Sequence, residues 1–408
     1  MAKVQQGFVP GVRSRWSVIF AFALVGAATQ LVWLNFAGVT TVAAERYGVS
    51  ENAIGWLAQV FPLLYVVLAI PAGLILDRWF RSGLLVGAVL TAIGAVLRLI
   101  GDDYSWLLIG QIVASVAQPL VLNAVTGITG RYLAEKDRPT GIAAGTASIF
   151  AGMVIAFLLS AVLADGHQLP TLLAVTAVFS VLAAVVLVVA LRKPGEHKVE
   201  RRRPDRGALQ VAWGDPLIRR LCLLAIFPFG VFVAMTTFAQ ALLEPAGVSG
   251  GTASTILLVN VVAGVIGSAV VPVIVVRRHA ESSLVVASLV VTALACTALA
   301  LLPGVVVGFV AITVIGFLLL PALPIVLELV ERRTGEAEGT GAGLIWMAGN
   351  LGGLLTAVVV GLLVDHPLPA FLVMAVVALI AVPGARSLRR PIAELAAVPS
   401  PDLGTVGS

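Results

Sequence analysis

The chain has 408 residues, 59% hydrophobic and 12% charged, with a mean hydropathy of +1.05. An average soluble domain carries roughly 25% charged residues, so this balance excludes a soluble globular protein and points to a polytopic helical membrane protein. The two cysteines, Cys222 and Cys296, both lie in apolar runs, which excludes a disulfide framework and a Cys-rich metal site.

Twelve apolar runs follow one another at 16–43, 53–76, 83–100, 105–130, 140–164, 169–191, 221–243, 252–276, 282–302, 305–330, 340–364 and 369–385. A helix of about 20 residues spans ~30 Å of hydrocarbon, so an all-α membrane protein with twelve transmembrane helices is expected. The first run exceeds the roughly 7–15 apolar residues of a signal peptide and lacks a small-x-small cleavage site, so it reads as a retained helix. Residues 1–15 form an N-terminal tail, 16–191 a first six-helix half, 192–220 a basic linker, 221–385 a second six-helix half, and 386–408 a Pro-, Ser- and Gly-rich tail expected to be disordered. The linker's Arg201-Arg202-Arg203 reads as a solvated cytoplasmic run in preference to a headgroup site.

With both termini placed inside, 24 of the 26 Lys and Arg fall in cytoplasmic segments, whereas Arg46 and Arg98 lie at the outer side. The outer loops hold acids such as Glu45, Glu51, Asp102, Asp103, Asp165, Glu244 and Asp365. This asymmetry predicts a multi-pass protein of the cytoplasmic membrane with both termini cytoplasmic. Two sets of six helices joined by a basic loop match the layout of a transporter built from two repeats around a midplane site.

After the second run stands Gly73-Leu74-Ile75-Leu76-Asp77-Arg78-Trp79-Phe80-Arg81. An acid at a helix end can hold a neighbouring helix N-terminus and nearby arginines, and let go when the halves rock. Gly73, Asp77, Arg78 and Arg81 are therefore a candidate conformational latch, with Gly73 expected to permit close helix contact. The segment resembles the loop motif of the major facilitator superfamily, Gly-x-x-x-Asp-Arg/Lys-x-Gly-Arg-Arg/Lys, with Phe80 at the second glycine and Ser82 at the last basic position. The equivalent stretch of the second half, Val270 to Arg278, has two arginines and no acid, so the latch is asymmetric.

Within the spans the polar residues are few and patterned. Gln111, Ser115 and Gln118 share one face of the fourth helix, and Pro119 deprives the Ser115 carbonyl of its usual donor. Gln30 and Trp33 share a face of the first helix, Thr236 and Gln240 of the seventh, and Trp346 and Asn350 of the eleventh. An amide without a partner in hydrocarbon costs several kcal/mol, so these groups should face a cavity or one another. Trp33 reads either as a wall of that cavity or as a packing or interfacial aromatic, while Trp16 and Trp106 suit interface belts. No acid or histidine sits mid-span, so a proton carrier is not evident. Arg98, with Asp102 one turn on, reads as a pair at an outer helix end. No phosphate loop, HExxH or Cys/His cluster occurs, so neither an enzyme, a resident metal nor a cofactor is expected. Two unlike halves favour alternating access over a channel.

A closer resemblance rests on Trp33 through Tyr47-Gly48-Val49, Trp56-Leu57, Tyr65, Pro71-Ala72, Gly110-Gln111, Ser115-Val116-Ala117-Gln118, Val261 to Ser268, and Glu331 to Gly339 with Ala342-Gly343-Leu344. These are similar to the feline leukaemia virus subgroup C receptor family of facilitators, associated with choline, ethanolamine and haem transport. The resemblance implies a substrate site at Trp33 and Gln118, with Asn350 and Val233 at the positions of a glutamine and a tyrosine of the family. Val233 removes half of the family's aromatic cage, and Phe232 beside it points roughly 100° away on a helix. From the residues themselves Gln111 and Gln240 join the candidate lining. The expected function is movement of a small organic solute, choline-like or another amine cation, with efflux of hydrophobic compounds as the alternative. Expected partners are the small-molecule substrate and membrane lipid, without nucleic acid, for a monomeric chain.

Overall fold

The computed structural model describes residues 14–134, 137–193, 213–277, 281–322, 326 and 338–388. The Arg201 run, residues 331–337 and the tail from 389 lie outside the described residues, as does the side chain of Asp77. All regular structure among the described residues is helical: α1 (Trp16–Leu34), α2 (Thr40–Tyr47), α3 (Glu51–Leu97), α4 (Tyr104–Leu122), α5 (Val125–Tyr132), α6 (Arg138–Val162), α7 (Leu169–Ala190), α8 (Pro216–Leu243), α9 (Gly250–Arg277), α10 (Glu281–Leu301), α11 (Val305–Leu319), α12 (Glu338–Gly361) and α13 (Pro367–Ser387), with two single 3-10 turns. Among the described residues eleven helical segments are long and apolar enough to cross a membrane, and α11 is a shorter apolar helix.

Two expected runs are joined and two are subdivided. The second and third spans, Glu51–Leu76 and Arg78–Leu97, are continuous in α3 except at Trp79, whose φ of −134° and ψ of 56° are not helical. The chain turns back there, since the start of α3 meets α2 through Glu51 and Thr41, and its end meets the break before α2 through Arg98 and Asn35. The run 16–43 stops at Leu34 and resumes as α2, which closes on Gly48 at φ 63°, a left-handed conformation open to glycine at no steric cost. The run 105–130 breaks after Leu122. At that break Asn123 accepts from the Tyr65 hydroxyl at 2.8 Å and donates to the Ala69 carbonyl at 3.3 Å.

Helix starts follow local chemistry. Ser50 accepts from Ala53 N–H, Asp103 from Ser105 and Trp106 N–H, and Asp215 from Leu217 and Ile218 N–H, each filling donors that a first turn leaves open. Packing between spans relies on close approach of backbones at small residues, since lipid tails offer no hydrophobic drive between helices. A Cβ on Gly94 would lie 2.5 Å from the Gly110 carbonyl oxygen, joining α3 to α4, and one on Gly352 would lie 1.9 Å from that of Ile226, joining α12 to α8.

α1 to α7 make one bundle of six spans and α8 to α13 the other, and the two meet chiefly through α6 with α9 and α3 with α12. One end carries Arg15, Arg81, Arg192 and Arg386; the other carries Glu51, Asp102, Glu244 and Asp365. At the basic end each bundle has its own apolar cluster, Val18 to Leu191 in the first and Leu217 to Leu388 in the second. Towards the acidic end a single cluster spans both, from Trp33 and Phe61 to Phe232 and Phe238. Among the described residues the halves are joined at the acidic end and separate at the basic end.

Candidate functional site

The closed end is assembled from polar groups of both bundles. Gln240 Oε1 accepts from Thr41 N–H at 2.8 Å, while Gln240 Nε2 donates to the Thr41 hydroxyl oxygen at 3.1 Å and to Glu244 at 2.8 Å. The Thr41 hydroxyl also lies 2.6 Å from Glu51, to which it can donate. Deeper in, Gln59 Nε2 donates to Thr237 at 3.1 Å and the Ser254 hydroxyl to the Gly38 carbonyl at 3.0 Å. Gly38 is required here, because a Cβ would lie 1.9 Å from Ser254 Oγ and 2.9 Å from Ser160 Cβ. Gln240, expected in the substrate lining, is thus a tie between the halves.

The break in α1 leaves helix carbonyls without intrahelical donors, and these recruit the most buried cation among the described residues. Arg98, 1% exposed, directs Nη1 at Gln111 Oε1 (3.2 Å), Asn35 Oδ1 (3.3 Å) and the Val32 carbonyl (3.5 Å). Gln111 Nε2 adds a bond to the same carbonyl at 3.1 Å. The guanidinium therefore sits at the negative end of the α1 dipole. This corrects the expectation of an Arg98–Asp102 pair: Asp102 holds Arg46 at 2.7 Å, and its hydrogen bond raises the Arg46 pKa above the ordinary value. Gln111, expected to face substrate, is fully buried with its amide engaged by Arg98 and Val32.

Trp33 lies one residue beyond Val32. Its indole Nε1 donates to the Ala58 carbonyl at 2.9 Å. Ala58 stands four residues before Pro62 in α3, so its carbonyl has lost its helical donor. The indole replaces that donor, and the ring is 6.4 Å from Phe61 at a tilt of 33°. Gln118, 4% exposed, makes no hydrogen bond among the described residues. The polar face expected along α4 is thereby divided, with Gln111 tied into the packing and Gln118 unengaged.

In the second bundle Asn350 Nδ2 donates back to the Trp346 carbonyl at 2.9 Å. Trp346 meets Phe229 edge-on at 5.8 Å, and Phe229 meets Phe232 edge-on at 6.5 Å. This aromatic chain, with Phe229 absent from the sequence expectations, bridges α8 and α12 beside Pro228. Val233 is fully buried, its Cγ2 only 2.9 Å from where a Cβ on Gly353 would lie. It packs on α12 and has no free face there for a cage. Phe229 was detectable as an aromatic one turn from Val233, but not its pairing with Trp346.

At the basic end Arg78 lies 4.5 Å from the Trp79 ring centroid, and Arg81 donates to the Arg192 carbonyl at 3.3 Å. Phe80, at the motif's second glycine, is covered by the Arg131 guanidinium at 4.1 Å. Among the described residues no atom lies within 4 Å of a Cβ built on Gly73 or on Gly343 of α12. With the bundles apart at this end, the close helix contact expected at Gly73 is not made in this state. Asp77, the acid of the expected latch, lies outside the described side chains.

Among the described residues no cluster of His, Cys, Asp and Glu is able to hold a metal ion, and no carboxylate is buried. Residues 18–357 match the Major Facilitator Superfamily domain. The chain is 26% identical over 365 residues to solute carrier family 49 member A3 of Danio rerio, covering 83% of this chain and 76% of that protein. It is 23% identical over 385 residues to the choline/ethanolamine transporter FLVCR2 of Homo sapiens, covering 87% and 73%. In fold it is similar to a bacterial homolog of the human lysosomal transporter Spinster, crystallised inward-facing and unoccupied, with a TM-score of 0.71 at 16% identity over 93% and 97% of the two chains. The nucleoside transporter NupG aligns with a TM-score of 0.66 at 12% identity, over 94% and 100%. With twelve apolar helices among the described residues and most of its length matched, this chain is a membrane transporter and belongs to the Major Facilitator Superfamily.

Proposed function

We propose that the chain moves a small organic amine, choline-like or ethanolamine-like, by alternating access between its two bundles, and that the structure is the state closed at the acidic end. With the basic end placed in the cytoplasm by the distribution of arginines, this is an inward-facing state. The observation that carries the substrate class is the engagement of the Trp33 N–H by the Ala58 carbonyl. An indole so held has no donor left for a ligand, and what remains is its π face. With no buried carboxylate among the described residues, a cation is met by ring faces and amide oxygens. Gln118 and Asn350 supply the oxygens, and Phe229, Phe232 and Trp346 supply the second aromatic wall in place of Val233. The choline/ethanolamine transporters among the relatives support the same class.

Uptake of radiolabelled choline and ethanolamine into proteoliposomes tests the reading, alongside a neutral hydrophobic dye. Saturable amine uptake that falls on Trp33→Ala, with dye flux unchanged, is the expected result. Dye export without amine uptake would make the chain an exporter of hydrophobic compounds. The orientation is checked by labelling. Cys222 and Cys296 are buried, so single cysteines introduced by His167→Cys and Ser387→Cys give a low background. Impermeant maleimide should reach the first from outside intact cells and the second only after permeabilisation. The opposite pattern would invert the protein in the membrane.

A further inference from the structure

On the outer side of the first bundle α3 and α7 part to leave a groove of about 410 Å³. Its walls are Val89, Ile93 and Val96 of α3 and Val181, Val185 and Val189 of α7, and Arg192 stands at its basic-end mouth. The wall side chains face outward, Val185 and Val189 being 53% exposed. We propose that this groove seats one acyl chain of an anionic phospholipid, with the lipid phosphate at Arg192.

The dimensions suit that occupant. From Val181 to Arg192 the helix rises about 17 Å at ~1.5 Å per residue, close to half of a hydrocarbon core of ~30 Å. Along α7 the groove thus runs one leaflet deep from the basic end, with its cation where headgroups begin, and its α3 wall continues to Val96, close to Arg98 at the acidic end. The charge suits it as well. Arg81 donates to the Arg192 carbonyl, and Arg15 to the carbonyls of Ala190 and Lys193, so two guanidinium groups are held at the end of α7. The Arg192 side chain itself makes no hydrogen bond or ion pair among the described residues, and it is free to meet a phosphate bidentately. The second bundle supplies a contrast. Between α8 and α13 a groove with Arg220 at its mouth holds only about 120 Å³, too little for a chain of similar depth.

The test uses the purified full-length chain in detergent, with bound lipid counted by native mass spectrometry and thermal unfolding followed in parallel. The probes are dioleoyl phosphatidylglycerol, dioleoyl phosphatidylcholine, dihexanoyl phosphatidylglycerol and inorganic phosphate. The expected result is a preference of about fivefold for the long-chain anionic lipid over phosphatidylcholine, equivalent to about 1 kcal/mol for one arginine. Arg192→Gln should abolish the preference, Arg192→Lys and Arg220→Gln should keep it, and Val185→Trp, which fills the groove, should release the lipid without lowering the melting temperature. Equal retention of the two long-chain lipids overturns the proposal, as does a preference that survives Arg192→Gln. Stabilisation by inorganic phosphate or the short-chain lipid equal to that by the long-chain one would show a free-anion site and overturn it too.

Discussion

The indole Nε1 of Trp33 donates to the carbonyl of Ala58, the one that Pro62 leaves without a helical donor. One side chain thus closes a gap in the neighbouring span and fixes the orientation of its own ring. Trp33→Phe keeps a ring face and orphans the carbonyl, at a cost of about 1–3 kcal/mol in stability. Pro62→Ala returns a backbone donor to Ala58. In a double-mutant cycle the two changes should couple by about 1 kcal/mol or more in thermal stability. Additive effects would show that the carbonyl is satisfied some other way.

Amine affinity separates from this stability effect. A desolvated cation over an indole gains about 2 kcal/mol, or about thirtyfold in affinity. Trp33→Ala should therefore lose about that factor in choline binding. Trp33→Phe with Pro62→Ala should bind within about tenfold of the native chain, since a benzene face is the weaker partner. Measured by calorimetry, an unchanged affinity for Trp33→Ala removes the ring from the site.

At the acidic end the Thr41–Gln240 pair and its links to Glu51 and Glu244 hold the bundles together. Gln240→Ala removes two bonds to Thr41 and should shift the two-state population towards opening by about 1–3 kcal/mol, roughly 5- to 150-fold. Spin labels on α2 and α9 should report a second, longer distance. A single unchanged distance would assign closure to the apolar contacts alone.

At the basic end Gly73 and Gly343 have no neighbour within 4 Å of a built Cβ among the described residues. Closure of that end would bring α3 and α12 together, so Gly73→Leu and Gly343→Leu should leave the present state and its stability intact and hinder the other. Transport turnover should fall more than about fivefold with ligand affinity kept within about twofold, the signature of a blocked step and not a damaged site. Unaltered turnover would mean that these faces never meet.

Arg98 and Asp102 make a sharp comparison. Arg98→Met removes a charged donor from Gln111, Asn35 and Val32 and should cost about 1.5–3 kcal/mol. Asp102→Asn affects a pair whose carboxylate is 67% exposed and should change stability by less than about 1 kcal/mol. Equal effects in thermal unfolding would restore the simple pairing of the two.

The number of spans, the two bundles and the separation of basic from acidic ends were legible in the chain, because apolar length and charge are properties of sequence order and the bilayer reads them directly. The ends of single helices were less so. The break after Leu34 is foreshadowed only by Asn35 and Gly38, and its stability depends on Arg98, Gln111 and Ser254 arriving from other helices. Rotation about the helix axes was not legible at all. In a span where nearly every residue is apolar, periodicity does not tell a lipid face from a packed one. Tertiary packing decided it: Gly353 admits Val233 against α12, Gly349 faces the Phe229 ring, and the aromatic wall forms from Phe229, Phe232 and Trp346. The chain thus determines what crosses the membrane and which end is basic, while the tertiary structure decides which side chains meet, because meeting requires the glycine gaps of a neighbouring helix as well as the residue itself.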